Sequence, residues 1–491
     1  MGGDLHAHAI VRPSVPPFGS RARADAPKGT SPAAPFAGTG PAEGARRGAE
    51  VLARLDRIPE WSLPYSYLAI VGLGYFFVFY DITDIGFGLP AIAVQMHLTG
   101  DEGLFVALAV GLLGYILGSF VIGTFSDRHG RLRMLLVAFA LVALGSFGDA
   151  AATDLFTLSL WRFVTGVGVG AGLNLVSTYV GELAPAARRG RISVLTFLIG
   201  ILGQAVTPFV ALALVPTFEV GWRLLFVIGG AVAVVGLAFQ SRLPESPRWL
   251  VMRGRPDEAD AIVRRMEAIA RARGEELAEP RPGEVSLERG RFPTRYLFRP
   301  PYASRLAVFV AMWFLWYVGN YAFLGDAATL YAAHGIAVGS SILYLAVGAV
   351  GYPVGALLML AAADRVERHR LLVVATGVWF LGMLLIGTLA SGLVLTLGSF
   401  LASLSLGMYL QVAYTYTAES FPTRARTSGF AWSDGLGHLG GVVGALGLPA
   451  LIAATSFFAG FATVGLTGLA AGTIALLGPR AAGRRLERIS Q

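Results

Sequence analysis

The chain has 491 residues, of which 55% are hydrophobic and only 14% are charged. Soluble domains average roughly 45–50% apolar and about 25% charged residues, so the composition argues against a soluble enzyme and indicates a membrane protein. Cysteine is absent, which excludes disulfide scaffolds, thiolate metal sites and thiol catalysis. We expect neither a metal site nor a cofactor.

The chain begins with a segment, residues 1–50, that is rich in Pro, Ala, Gly and Arg and lacks an apolar stretch. This composition predicts disorder. A membrane-spanning helix needs about 20 mostly apolar residues, and twelve such stretches follow. They begin near residues 66, 103, 131, 154, 190, 222, 304, 338, 370, 393, 427 and 455. We number them spans 1–12.

A polar segment separates the two sets of six spans. The predicted fold is therefore an all-α membrane protein with five parts: 1–50, a first six-helix bundle at 51–243, a linker at 244–303, a second bundle at 304–478 and a tail at 479–491. Within the linker, apolar residues recur at helical spacing over 256–273. This pattern predicts an amphipathic helix that lies against the bundle, with Glu267 on its polar face.

Arginines are concentrated in alternate connections, those between spans 2 and 3, 4 and 5, 8 and 9, and 10 and 11. Cytoplasmic loops carry such an excess of positive charge. We therefore expect both termini and the linker in the cytoplasm and the protein in the cell (inner) membrane. The net charge of +8 then reports topology, and nucleic acid is not an expected partner.

The two halves of the chain share an internal repeat. Asp364-Arg365 follows span 8 as Asp127-Arg128 follows span 2, and subtracting 127 from 364 gives 237. After spans 4 and 10, Glu182 and Glu419 differ by the same 237, as do Arg189 and Arg426. Two unrelated motifs with one offset indicate a duplicated six-span unit. Paired repeats with a midplane site are a common transporter design.

Several motifs, in order, make the chain resemble the major facilitator superfamily, particularly its sugar porters and related metabolite–proton symporters. They are Arg54–Pro59 before span 1, Gly123–Arg133 between spans 2 and 3, Trp161–Gly170 in span 4, Pro244–Leu250 after span 6 and Gly483–Ser490 in the tail. The resemblance implies two pseudo-symmetric six-helix bundles that rock about a central substrate site.

The resemblance also implies a set of charged residues that latch the two halves at their cytoplasmic ends. In this sequence they are Asp127, Arg131, Glu182, Arg189, Asp364, Arg368, Glu419 and Arg426. Opposite charges there would exchange partners as the halves rock. The alternative is a set of ordinary solvated charges.

Charged residues inside spans are functional candidates because each costs about 2.5–3.5 kcal/mol to insert. Asp81 lies near the middle of span 1, and Arg162 lies at a similar depth in span 4. Protonation of Asp81 would release Arg162 and so couple a proton to a packing change, as the resemblance also implies. Asp84, one turn later, is the second candidate for this role. A purely structural ion pair is the alternative.

Polar and aromatic side chains in the spans are candidates for substrate contact, because amides and aromatic faces suit a small polar molecule. They are Asn174, Gln204, Trp316, Tyr317, Asn320, Tyr321, Gln411, Tyr414, Trp432 and His438. For the aromatic residues, helix packing is the alternative role. A structural histidine is the alternative for His438.

Sugar porters typically carry glutamines where this chain has Phe197, Leu315 and Trp316. These departures favour an organic acid or another small metabolite over a hexose, although a sugar-like solute stays open. We expect a monomeric secondary transporter that moves this solute with protons. The alternatives are an exporter, an uncoupled facilitator and a membrane sensor that no longer transports.

Overall fold

A computed structural model of the chain describes residues 41–98, 106–185, 189–282, 294–300, 302–362, 365–421 and 426–479. Within these residues, twelve helices are long and apolar enough to cross a membrane. The spans are Tyr65–Gln95, Val106–His129, Arg131–Ala151, Leu155–Leu183, Arg191–Leu214, Gly221–Gln240, Tyr302–Ala333, Val338–Ala362, Arg368–Gly387, Gly392–Glu419, Ser428–Ala454 and Phe457–Ala475. The predicted starts of all twelve spans fall within three residues of these bounds.

The spans pack in the same pattern in each half. Span 1 contacts spans 5 and 6, span 4 contacts spans 2 and 3, and span 3 contacts span 6. Every one of these pairs recurs in the second half with each number raised by six. The two halves meet where span 1 contacts span 7, span 2 contacts span 11 and span 5 contacts span 8. The predicted pair of pseudo-symmetric six-helix bundles is confirmed.

Glycines bring spans 2 and 4 into unusually close contact. A Cβ atom on Gly118 would lie 2.0 Å from the carbonyl oxygen of Val167, and one on Gly170 would lie 2.1 Å from that of Tyr115. Membrane helices use such small residues because lipid offers no hydrophobic driving force and dense packing must replace it. This packing holds the backbone around Arg162 at a set distance from span 2.

Within the described residues, three α-helices and one short 3-10 helix, Thr294–Phe298, lie outside the spans. The α-helices are α1 (Pro41–Asp56), α2 (Pro247–Met252) and α3 (Pro256–Ala272). The predicted amphipathic helix is confirmed as α3, which buries Ile262, Val263 and Met266. The prediction of disorder through residue 50 is wrong from Pro41 onward, because α1 packs against α2 and α3. Residues 1–40 lie outside the described residues.

The position of Glu267 also differs from the sequence prediction. Its side chain is buried between α3 and α1, where Arg54 and Arg57 donate to its carboxylate at 2.5 and 2.6 Å. Burial disfavours the ionised form of Glu267, but the hydrogen bonds from the two arginines outweigh it and lower the pKa of Glu267. The periodicity of α3 placed Glu267 outward because it contained no information about α1.

Because the pKa of Glu267 is lowered by folding, the docking of α1 contributes stability above the ordinary glutamate pKa of about 4.3. This contribution is lost as the pH falls through the lowered value. We predict that Glu267→Gln undocks α1 even at neutral pH, because Arg54 and Arg57 then face a neutral amide. Trypsin should cleave after the exposed Arg46 several-fold faster, as measured by limited proteolysis and mass spectrometry.

The control is Glu258→Gln on the same helix. Glu258 pairs with Arg255 at the surface, 2.5 Å away, and its side chain is 54% exposed. Its loss should leave the cleavage rate unchanged. Equal rates for the two variants would show that the Glu267 contacts do not hold α1.

Candidate functional site

Arg162 lies in the interior of the first bundle, among three carboxylates. Its Nη1 atom is 3.3 Å from Asp84 Oδ1, 3.3 Å from Asp149 Oδ2 and 3.7 Å from Asp81 Oδ2. The three aspartates are at most 1% exposed and Arg162 is 5% exposed. Spans 1, 3 and 4 thus bring four charged groups together away from water.

Two hydroxyl groups orient this cluster. Ser146 donates to Asp81 Oδ1 at 2.8 Å, and Thr165 donates to Asp149 Oδ2 at 3.1 Å. The second oxygens of Asp81, Asp84 and Asp149 lack a hydrogen-bond partner. With every carboxyl ionised the cluster would carry an excess of two negative charges, and an unpaired buried charge is strongly unfavourable. Protonation of these carboxyls would remove that excess.

The structure brings together the predicted Asp81, Asp84 and Arg162, and it adds Asp149. Asp149 was not among the residues singled out from the sequence, and span 3 continues to Ala151 and buries its carboxyl. The signal in the sequence that could have identified Asp149 was a single acidic residue at the end of an apolar stretch. Asp84 also proves to be closer to Arg162 than Asp81 is.

A cavity of about 20 Å³ lies between the two halves near the middle of the bundle. Six of the ten predicted contact residues line it: Gln204, Tyr317, Asn320, Tyr321, Tyr414 and His438. The rest of the lining is apolar and comes from spans 1, 4, 7 and 10. Gln204 Oε1 and Asn320 Oδ1 are buried without a hydrogen-bond partner. These two oxygens are available to accept hydrogen bonds from a ligand.

Four predicted contact residues lie elsewhere. Asn174 donates to the Gly170 carbonyl of its own helix, and Trp316 stacks on Tyr409 with ring centroids 3.7 Å apart. Trp432 packs between two phenylalanine rings. Gln411 is buried but is not part of the lining. Sequence alone could not separate these residues from the other six, because residue type does not fix which way a side chain points on its helix.

His438 belongs to a hydrogen-bonded group that crosses between the halves. Its Nε2 atom lies 3.2 Å from the Tyr321 hydroxyl. One turn earlier, Asp434 accepts hydrogen bonds from Tyr317 at 2.7 Å and from Tyr115 of span 2 at 3.1 Å. The Tyr115 ring stacks on the His438 ring with centroids 3.7 Å apart. Tyr115 was not among the predicted site residues.

A second cavity of about 20 Å³ adjoins the first. Asp81, Arg162 and Tyr115 line the second cavity, and Ile82 and Tyr321 line both. The carboxylate cluster and the central cavity are therefore neighbours, with the Tyr321 ring at their boundary.

Helix contacts narrow the space between the halves on both sides of the central cavity. At one end, Gly86 of span 1 lies so close to span 7 that an added Cβ would be 2.1 Å from the Leu324 carbonyl oxygen. Towards the arginine-rich connections, Phe120 of span 2 packs on Trp432 of span 11 with centroids 5.0 Å apart. A space of about 20 Å³ has room for one water molecule.

Comparison with known proteins decides what kind of protein this is. A family model described as "Sugar (and other) transporter" matches residues 67–491. The chain belongs to this transporter family. It is 29% identical to the putative metabolite transport protein YyaJ of Bacillus subtilis, over 80% of the chain and 87% of that protein. It is 28% identical to the niacin transporter NiaP of Acinetobacter baylyi, over 90% of the chain and 99% of that protein.

Among solved structures, the transporter is similar to the xylose transporter XylE from E. coli in a partially occluded, inward-open conformation. The TM-score is 0.71 at 20% identity, covering 86% of the chain and 99% of XylE. This likeness confirms the major facilitator fold. The transporter is a multi-pass membrane protein and not an enzyme.

The charged residues predicted to latch the halves are only partly described. Arg131 is held within the first half, 2.5 Å from Asp127 and 3.0 Å from Glu182. In the second half, Arg368 lies 3.4 Å from Glu419. Each pair joins helices of one half. Asp364 and the side chains of Arg189 and Arg426 lie outside the described residues, so the latch stays a prediction.

We predict that Gly86→Ala disfavours closure at the Gly86 end, because the new methyl group collides with the rigid backbone of span 7. Gly88→Ala is the matched control. It lies two residues along the same helix, and its Cβ would approach no atom closer than 3.5 Å. A pair of spin labels can be placed on the two halves at this end. The distance between them, measured by pulsed electron paramagnetic resonance, should be longer for Gly86→Ala only. Unchanged distances would exclude this contact as the seal.

Proposed function

We propose that this transporter is a proton-coupled symporter that imports a small aromatic carboxylic acid by alternating access. The arginine-rich connections and both termini lie in the cytoplasm, and the protein works as a monomer in the cell inner membrane. Its two bundles comprise residues 51–243 and 304–478. The linker 244–303 joins them, and the tail 479–491 follows the second bundle. One observation carries the proposal: three buried carboxylates surround a single arginine beside the central cavity.

Proton coupling follows from the charge of the Arg162 cluster. A proton on Asp81 or Asp84 weakens the hold on Arg162, while loss of that proton restores the attraction. Both acids lie on span 1, and Gly86 two residues beyond Asp84 makes the contact with span 7. A change in the protonation of span 1 thereby acts on the helix that closes the cavity. The coupling is a difference in proton affinity between the open and closed conformations.

The cavity lining favours an aromatic acid as the substrate. Tyrosine rings and the His438 ring supply flat apolar faces, while Gln204 and Asn320 supply the lining amides. A hexose offers hydroxyl groups on every side, and the five apolar residues of this lining could not meet them. The similarity to a niacin transporter supports the same class, because niacin is a pyridine carboxylic acid. A sugar-like solute is the competing candidate because of the family to which the chain belongs.

Uptake into liposomes tests the function directly. Reconstituted protein should accumulate radiolabelled nicotinate above its equilibrium concentration when an inward proton gradient is imposed, and should not accumulate xylose. Protein-free liposomes correct for passive entry of the neutral acid. Accumulation of xylose alone would replace the substrate proposal. Nicotinate movement that never exceeds its equilibrium concentration would indicate a facilitator. Accumulation only by protein molecules whose cytoplasmic face points out of the liposome would indicate an exporter.

We predict that Asp81→Asn abolishes proton-driven accumulation but preserves exchange of labelled for unlabelled substrate, because the amide fills the same space and binds no proton. Asp154→Asn is the control. Asp154 caps span 4 at the surface, and asparagine caps helices equally well, so accumulation should be retained. If the Asp81→Asn protein still accumulates substrate, Asp81 is not the coupling acid.

A further inference from the structure

Asp434 and His438 lie one turn apart on span 11, and each is 1% exposed. His438 Nδ1 is 2.8 Å from the main-chain oxygen of Asp434. A carbonyl oxygen only accepts hydrogen bonds, so Nδ1 carries a hydrogen. The Nε2 atom faces the Tyr321 hydroxyl and is the ring position at which a proton can be gained or lost.

Among the described residues, tyrosines contact this couple. Asp434 Oδ2 lies 3.8 Å from His438 Nδ1. The titratable groups that face the couple are Tyr115 of span 2, Tyr317 and Tyr321 of span 7, and Tyr414 of span 10. Asp81 and Arg162 are charged groups that line the adjoining cavity, together with Tyr115 and Tyr321.

Charge balance sets how many protons the closed couple holds. A carboxylate beside a neutral imidazole is one net negative charge, and burying it without a cation is strongly unfavourable. One additional proton, on either group, makes the couple neutral. In a water-filled cavity at pH 7 an aspartate is ionised and a histidine is mostly neutral. Tyr317 and Tyr115 donate hydrogen bonds to the Asp434 carboxylate, but these neutral donors leave the net charge in place, and one added proton would remove it.

We propose that Asp434 and His438 form a second proton-binding site, located in the second half and filled when the cavity closes. The inference rests on the proposed proton-coupled transport of an acid and adds one proton to each cycle. Tyr115 links the site to closure because it reaches Asp434 and His438 from the opposite half. The site is separate from the Arg162 cluster, which lies within the first half.

The hydrogen-bond chain gives the added proton a consequence for the substrate. With Nε2 unprotonated, the Tyr321 hydroxyl donates to it. With Nε2 protonated, Nε2–H donates to the Tyr321 oxygen, and the hydroxyl hydrogen turns elsewhere. Tyr321 lines the central cavity, so it then offers a donor to a carboxylate there. Proton and acid are thereby bound together.

The decisive measurement is the charge moved per substrate, obtained from the zero-flux membrane potential in proteoliposomes with nicotinate gradients. Asp434→Asn should carry one positive charge fewer per nicotinate than the wild type, because the amide fills the same space and keeps one acceptor oxygen but lacks the negative charge that draws the proton in. Asp434→Ser should give the same loss and serves if the first variant does not fold. Equal charge per nicotinate in the wild type and a folded variant would overturn the proposal.

Tyr317→Phe is the matched control. It removes the 2.7 Å hydrogen bond to Asp434 but leaves both members of the couple titratable. Transport should slow while the charge per nicotinate stays at the wild-type value. A loss of one charge in this variant would assign the effect to disturbed packing instead of a lost proton site, and would also overturn the proposal.

A substrate-free measurement separates this proposal from the proposed function. The chain has no cysteine, so introduced cysteines alone would carry spin labels. Val94 and Leu393 are 75% and 79% exposed at one end, and Phe125 and Val374 are 47% and 56% exposed at the other. The closed population should rise as the pH falls. The slope of the closing equilibrium against pH should correspond to one proton fewer in Asp434→Asn than in the wild type. Equal slopes would overturn the second site even if nicotinate is not the substrate.

Discussion

The constraint on which this structure depends is the burial of more acid than base. Three aspartates and one arginine are buried together among spans 1, 3 and 4. In a low dielectric, neither the arginine alone nor three carboxylates alone could be kept there. With all three carboxyls ionised, the single arginine leaves an excess of two negative charges. This imbalance is the physical basis of the proposed proton coupling.

Dense helix packing connects that cluster to the interface between the halves. Gly118 and Gly170 let spans 2 and 4 approach until carbonyl oxygens occupy the space of side chains. One of these oxygens belongs to Tyr115 of span 2, which meets Gly170 of span 4. Tyr115 in turn contacts the second half at Asp434 and His438. Two titratable groups in different halves are thus joined through one tyrosine and its neighbour Tyr321.

Much of the fold could be predicted because its signals are local. Apolar length specified the spans, and the repeated offset specified two equivalent halves. Asp81 and Arg162 could be paired by counting residues along two helices of opposite direction, since depth in a membrane is nearly one-dimensional. The same counting failed for Asp149, because it lies near a helix end where a few residues decide between burial and exposure. The helical periodicity of α3 likewise failed to place Glu267, because its partners lie more than two hundred residues away in the chain.

The sequence by itself therefore determined the class of protein, the number and order of its spans, the duplicated plan and the presence of an acid–base pair at mid-depth. Only the tertiary structure decided which six of ten candidate side chains share a cavity, that Asp149 joins Asp81 and Asp84 around Arg162, and that Tyr115 joins the halves. The physical reason is that hydropathy and spacing record how each helix meets the bilayer. Which helix faces which, and at what rotation, depends on packing between residues far apart in the chain.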